Sequence, residues 1–236
     1  MSPQTLLAKT AAAWGLPLTE TQLKQFAAYT STLQIWNVRV NLTAIIDAEG
    51  IFVRHFLDSL RCACAWGDTP ASLIDIGSGA GFPGIPLKIL RPTLRLTLVE
   101  SVGKKAAFLR HIVEQLALDD VTVLDSRVEL IGHQPQHREQ YDVATARAVA
   151  GMRVLAEYSL PLVRLGGRLL APKGADVAAE LAAAQRAIKI LGGEMPAVEP
   201  VTLPGVDPRT LVVIGKTRPT PPEYPRAVGI PTRRPL

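Results

Sequence analysis

The sequence predicts an α/β fold: a mainly parallel sheet that ends in an antiparallel C-terminal hairpin, covered by helices and preceded by a helical cap. Three observations carry that expectation. Apolar side chains recur at helical spacing through the first seventy residues, short β-rich runs alternate with helical stretches from Ser72 onward, and the last two β-rich runs follow each other with no helix between them.

In TETQLKQFAAYTSTLQIW, Thr19 or Thr21 can cap a helix whose apolar face is Leu23, Phe26, Ala27, Leu33 and Trp36. The β-branched and Asn residues of NVRVNLTAI predict a loop from about Asn37 to Thr43. DAEGIFVRHFLDSLRCACAW resumes the helical spacing through Ile51, Phe52, Phe56, Leu57 and Leu60, and GDTPA, Gly67 to Ala71, closes it. Strands follow at SLIDI, LRLTLVE, VTVLD, YDVATA and GGRLLAP, with helical patterns near 84–90, 102–117, 151–162 and 176–190. That alternation demands a parallel sheet with both faces covered. EMPAVEPVTLP and PRTLVVIGKT are joined by a short link, which suits an antiparallel hairpin on the sheet edge. TRPTPPEYPRAVGIPTRRPL is too rich in proline for regular structure and predicts an extended tail or one ordered on binding. The expected division is a helical cap over 1–70, a sheet domain over 71–216 and a basic tail over 217–236.

With 47% hydrophobic and 20% charged residues in 236, the chain can bury a sizeable core. No run approaches the roughly 18 apolar residues of a membrane span, and MSPQTLLAKT lacks the apolar stretch of a secretory signal, so a cytoplasmic protein without membrane contact is expected. Cys62 and Cys64, two apart, form neither a disulfide framework nor a metal-ligand set, and no metal site is expected. The formal charge of +5 divides into 0 over residues 1–70, +1 over 71–215 and +4 over 216–236. A basic end of that kind suits a polyanionic partner.

Chemistry concentrates in LIDIGSGAGFPGIPL. Gly79, Gly81 and Gly84 match GxGxxG literally, which on its own suggests an NAD(P)-dependent oxidoreductase. Two features oppose a diphosphate there. Pro83 and Pro86 each remove an N–H donor from the turn, and Asp75 places a carboxylate immediately before it. The expected ligand therefore carries positive charge, as S-adenosylmethionine does in its sulfonium and amino-acid ammonium. Glu100, at the end of the next strand, has the spacing required to reach a ribose. Asp75, Gly77, Gly79, Gly81 and Glu100 thus read as one cofactor constellation. Val128 and Glu129, after the third strand, fall where an adenine is flanked, and Arg147, just beyond the fourth, should face the reaction centre.

The runs NLTAI, RHFLDSL, LIDIGSGAGFPGIPLKIL, ESVGKKAAFLRH, SRVE, TARAVA, LAPKG and YPRAVGIPTRRPL closely resemble the RsmG (GidB) family of bacterial 16S rRNA guanine-N7 methyltransferases, from Asn41 to Leu236. The resemblance implies a Rossmann-like class I methyltransferase sheet, S-adenosylmethionine as cofactor, and methylation of one guanine of 16S rRNA or a small-subunit precursor. It places cofactor contacts on Gly77, Phe82, Val128, Glu129 and Arg147, of which Phe82 had no signal of its own.

Guanine N7 offers a lone pair and no proton, so its methylation requires no general base, and the chain has neither an Asn-Pro-Pro-Tyr type motif nor a Pro-Cys nucleophile in place. No residue is assigned as a certain catalyst; Arg147 is the candidate for positioning substrate or cofactor. Candidate RNA contacts are Asn41, Arg54, His55, Lys104, Lys105, Arg147, Lys173, Arg226, Arg233 and Arg234. His55 is expected to make a substrate contact or a buried hydrogen bond, and the protein is expected to be a monomer. A reading outside enzymology, an RNA-binding or ribosome-assembly module with a vestigial site, stands beside these.

Overall fold

The computed structural model describes residues 1–66 and 71–236, so most of the predicted GDTPA turn lies outside the described residues. Helix α1 (Pro3–Ala13) starts with Ser2, whose hydroxyl accepts from the Thr5 amide. Helix α2 (Glu20–Val40) begins in a capping box, with Thr19 accepting from the Gln22 amide and Gln22 accepting from the Thr19 amide. It runs through the predicted loop to Val40. Asn37 explains the difference, because its Oδ1 accepts from the amides of Leu42 and Thr43 and its Nδ2 donates to the Thr43 carbonyl. The last helical turn thereby stitches down the chain that leaves it. Asn41 ends the helix in the left-handed region at φ 53°, a conformation Asn tolerates.

The next helical stretch is continuous but irregular. A turn of α3 (Ala48–Gly50) leads into seven residues of π-helix, Ile51–Leu57, then α4 (Asp58–Arg61) and a 3₁₀ turn, Cys62–Ala65. The wider π turn buries most of its circumference, and of its seven residues Arg54 alone is exposed.

From Ser72 the chain alternates as expected: β1 (Ser72–Ile76), α5 (Gly84–Leu90), β2 (Arg95–Glu100), α6 (Gly103–Gln115), β3 (Val121–Asp125), α7 (Val128–Ile131), β4 (Tyr141–Thr145), α8 (Met152–Ser159), β5 (Val163–Lys173), α9 (Ala178–Ile190), β6 (Ala197–Val201) and β7 (Arg209–Gly215). The strand order is β3-β2-β1-β4-β5-β7-β6. Strands β1 to β5 pair in parallel, and β7 runs antiparallel between β5 and β6. Pro200 sits in edge strand β6, where a missing N–H costs no interior pairing.

Strand alternation sorts the core. Leu73 of β1 faces the cluster formed with α1, α2, the π-helix and α5, whereas Ile74 and Ile76 face the cluster formed with α8 and α9. By the same period Asp75 points to the cap side, under α5. The cap therefore shares its core with one face of the sheet. An aromatic column joins the two: Phe26 against Phe56 (4.8 Å between centroids), Phe56 against Tyr29 (5.3 Å), and Tyr29 stacked on Phe82 of the glycine loop (5.4 Å). Each such pair contributes about 0.5–1.5 kcal/mol beyond its area burial.

The proline-rich tail is ordered against the fold, contrary to the expected absence of regular structure, and ends in a short helix, α10 (Ile230–Arg233). Polar anchors replace the missing backbone pairing. Buried Lys216 donates to the Leu160 carbonyl and the Thr220 hydroxyl and pairs with Glu139. Arg138 donates to the carbonyls of Thr220, Pro221 and Tyr224. Arg226 grips Glu157, which is wholly buried, and the Gly229 amide donates to Glu129. Arg153 donates to the carbonyls of Pro235 and Leu236.

Candidate active site

The carboxyl ends of β1, β2 and β4 deliver the glycine loop, Glu100 and Arg147 to one edge of the sheet, where a cavity of about 460 Å³ opens. Gly77, Ser78, Gly79, Ala80 and Phe82 form one wall. Further lining comes from Leu42, Thr43 and Ile45 after α2, from Arg54 and His55 of the π-helix, and from Arg209 at the start of β7. Gly77 also borders a narrow second cleft of about 80 Å³, lined by Ile76, Val99, Val128, Glu129, Val149 and Tyr158.

Backbone geometry explains two of the glycines. Gly77 has φ 64°, and a Cβ there would lie 2.7 Å from Val149 Cγ2 between the two cavities. Gly81 has φ 91°, and a Cβ there would lie 2.5 Å from Ile85 Cδ1 and 2.7 Å from the Tyr29 hydroxyl. That hydroxyl donates to the Ala80 carbonyl, so the cap pins the loop from behind. Ala148, on the cavity wall, holds φ 57° without being glycine, a conformation costing on the order of 1 kcal/mol.

Asp75 is corrected by the structure. It is fully buried and lines neither cavity; its Oδ2 accepts from the Gly84 amide at 2.9 Å, and its Oδ1 has no hydrogen-bond partner among the described residues. Burial pushes its carboxyl up to about 7, opposed by the Gly84 amide and Arg147. The start of α5, where a diphosphate would sit in a nicotinamide enzyme, is thus filled by the protein's own carboxylate. Asp75 therefore opposes a diphosphate by occupying the helix start and not by contact with a cationic ligand. Glu100 is likewise buried, likewise lines neither cavity, and braces the loop: Oε2 accepts from Gly79 and Oε1 from Val102, leaving one lone pair on each oxygen.

Arg147 lies where strand order predicted, and its surroundings define the site. Its Nη1 donates to the Arg54 carbonyl (3.0 Å) and to Asp58 (3.1 Å), and its guanidinium lies 5.0 Å from the centroid of the Phe82 ring. Nη2 is 3.1 Å from His55 Nδ1. Nδ1 also lies 3.2 Å from the Arg54 carbonyl, but that oxygen already accepts from Arg147. A guanidinium only donates, so the tautomer that accepts from Arg147 keeps the lone pair on Nδ1 and lets Nε2–H donate to Thr43 Oγ1 at 2.8 Å. Burial, then the adjacent Arg147 charge, pull the imidazole down to about 3. His55, stacked on Phe82 at 4.5 Å, is a neutral, buried hydrogen-bonding group, the second of its two expected roles. Buried Asp58 also pairs with Arg209, 3.1 Å from Oδ1 to Nε. Sequence reasoning assigned no role to Asp58, Tyr29 or Arg209. Asp58 stands inside the quoted RHFLDS, whereas Arg209, about 150 residues on, carries no local signal.

The remaining candidates scatter. Arg54 and Lys105 line the cavity; Asn41 and Lys104 are exposed and do not. Lys173 pairs with Glu180 (2.8 Å) and donates to the Ala150 carbonyl, and Arg226 pairs with buried Glu157 (2.6 Å), so both have internal partners. Arg233 and Arg234 are exposed on the tail. Val128 and Glu129 border the narrow cleft, with the Glu129 carboxylate turned to the tail.

Glycine cradle, apolar cleft and cationic pocket fit a nucleoside bearing an amino-acid arm. Residues 22–204 match the family described as GidB, rRNA small subunit methyltransferase G. The chain is 67% identical over 231 residues to ribosomal RNA small subunit methyltransferase G of Roseiflexus sp. (strain RS-1), covering 98% of this chain and 99% of that protein. It is 60% identical over 233 residues to the protein of that name from Chloroflexus aggregans (strain MD-66 / DSM 9485), covering 99% and 98%. Among solved structures, MtNAS in complex with MTA and tNA superposes with a TM-score of 0.55 at 18% identity, over 91% of this chain and 76% of that one, a likeness of fold.

Proposed function

This chain belongs to the rRNA small subunit methyltransferase G family, and on that premise we propose that it transfers a methyl group from S-adenosylmethionine to N7 of one guanine in 16S rRNA. The match over residues 22–204 carries the reading. The cavity at the carboxyl edge of the sheet, beside a helix start already occupied by Asp75, supports it. The partner is 16S rRNA or a small-subunit precursor, met by a monomer in the cytoplasm. No helix among the described residues is long and apolar enough to cross a membrane.

S-adenosylmethionine, when bound, supplies an electrophilic methyl on a cationic sulfur. Gly77 and Gly79 leave the backbone open for its amino-acid arm, Glu100 offers its remaining lone pairs to ribose hydroxyls, and the Val128–Glu129 cleft takes the adenine. Glu129 acts there through backbone and packing, since its carboxylate holds the tail. Phe82 and Arg147 wall the reaction centre.

Because N7 carries no proton, the protein's task is alignment, which can supply up to roughly 7–11 kcal/mol of the barrier. His55, neutral and accepting from Arg147, holds that arginine and takes no proton from substrate at neutral pH. Asp58 neutralises Arg147 beside the ring that becomes cationic, limiting repulsion of the product charge. The target base has to leave its stack to present its Hoogsteen edge.

Mapping N7-methylguanine along 16S rRNA from cells with and without the protein tests the proposal. Loss of one modified guanine is expected; an unchanged map overturns it, as does purified protein that prefers NAD to S-adenosylhomocysteine.

A further inference from the structure

Among the described residues, four cations line the 460 Å³ cavity, Arg54, Lys105, Arg147 and Arg209, and no carboxylate does. That balance is wrong for a transfer that starts with a sulfonium and ends with a cationic base, unless the substrate brings negative charge with it. Two of the four are built in. Asp58, 3% exposed, holds Arg147 on Oδ2 and Arg209 on Oδ1, both at 3.1 Å, so one carboxylate brackets two guanidinia on the same wall.

The two arginines are spent differently. Arg147 gives both terminal nitrogens to protein, to the Arg54 carbonyl, Asp58 and His55. Among the described residues, Arg209 makes no hydrogen bond with either Nη, and its buried Nε, although 3.1 Å from Asp58, has no partner in hydrogen-bond geometry. Its side chain is 28% exposed and lines the cavity, which leaves guanidinium donors unfilled at the cavity wall. A planar fork with unfilled donors, drawn to one wall by the Asp58 charge, matches two oxygens of a phosphate.

We propose that Arg209, bracketed by Asp58, binds a phosphodiester of the target nucleotide and so seats the guanine against the glycine-loop wall. The inference rests on the rRNA reading above and adds a residue and a ligand group to it. Arg209 is the first residue of β7 and lines the same cavity as Gly77 to Ala80, so the phosphate and the cofactor share one cavity. The bracket also explains why Asp58 is buried: it fixes the position of Arg209 without presenting a carboxylate to the incoming phosphate.

The test uses the full chain with small-subunit RNA, reading RNA affinity against salt, S-adenosylhomocysteine affinity, and KM and kcat separately. R209Q should weaken RNA binding and raise KM for RNA about ten- to hundredfold. It should reduce the salt slope by about one and leave S-adenosylhomocysteine affinity unchanged. R209K should restore most of the salt slope, which a packing role would not require. An unchanged KM and slope in R209Q overturns the proposal. Weakened S-adenosylhomocysteine binding with unchanged RNA binding also overturns it and assigns Arg209 to the cofactor carboxylate. Wild-type protein that methylates a different atom would refute the N7 reading while the salt slopes still decide the role of Arg209.

Discussion

Replacing Asp58 by Asn removes the one negative charge between two guanidinia while keeping the side chain's shape. Asp58 is 3% exposed and Arg147 12%, so this is a buried pair, for which removing one partner costs about 3–5 kcal/mol. The lower end applies, because Arg209 is 28% exposed and can recover hydration, and because the amide oxygen of Asn still accepts from one arginine. A loss of about 3 kcal/mol in a chain of this size lowers Tm by roughly 6–12 °C. Urea unfolding should show the same loss as a shifted midpoint at unchanged m. In a double-mutant cycle with Arg147→Met, most of the cost should reappear as coupling between the two sites. A fall of less than about 2 °C in Tm for Asp58→Asn would mean that Asp58 is not a shared buried partner of the two arginines.

Stability against pH follows from His55 and Asp75. The folded His55, lowered to about 3, refuses a proton that the unfolded chain takes below about 6.5, so its effect is to lose stability as pH falls from there at about 1.4 kcal/mol per unit. Asp75, raised to about 7, acts oppositely: its contribution is complete below the ordinary carboxyl value and is lost as pH rises toward 7. Between pH 4.5 and 6.5 the two slopes oppose, so urea midpoints should rise with pH in Asp75→Asn and fall with pH in His55→Gln, relative to wild type. Gly81→Ala should cost about 1–3 kcal/mol from the Ile85 and Tyr29 contacts and should weaken S-adenosylhomocysteine binding; adding Tyr29→Phe should return part of the loss in a double-mutant cycle. Glu157→Gln breaks the buried grip on Arg226, and limited proteolysis should then cut the tail between 217 and 229 at least tenfold faster, with no change expected in the 1–66 segment.

The sheet was legible because its central strands are five- and six-residue apolar runs between punctuating glycines and prolines, a pattern with few alternative folds. The departures have local causes. Composition placed a loop at Asn37, whereas Asn37 uses its side chain to extend α2 and tie down its exit. Proline content placed the tail outside regular structure, but Glu157 and Glu129, acids on otherwise apolar helical segments, were waiting for it. The site divided along similar lines. Residues delivered by strand ends, Gly77 and Arg147, were found by topology. Asp75 was found but misdirected: alternation along β1 already puts it on the Leu73 side, under α5, and Gly84 packs against it closely enough that a Cβ would lie 2.8 Å from Oδ2. Arg209 needed three dimensions, because antiparallel insertion of β7 is what carries it to the Asp58 wall.

The proposed reaction is transfer of a methyl group to guanine N7 in small-subunit RNA. Purified protein, S-adenosylmethionine labelled on the methyl, and 16S rRNA or small subunits lacking the modification measure it directly. Digestion to nucleosides should place the label in 7-methylguanosine, at one site, with no label when the cofactor is replaced by S-adenosylhomocysteine. Label in any other nucleoside, or none under conditions where the protein binds the cofactor, would contradict the claim.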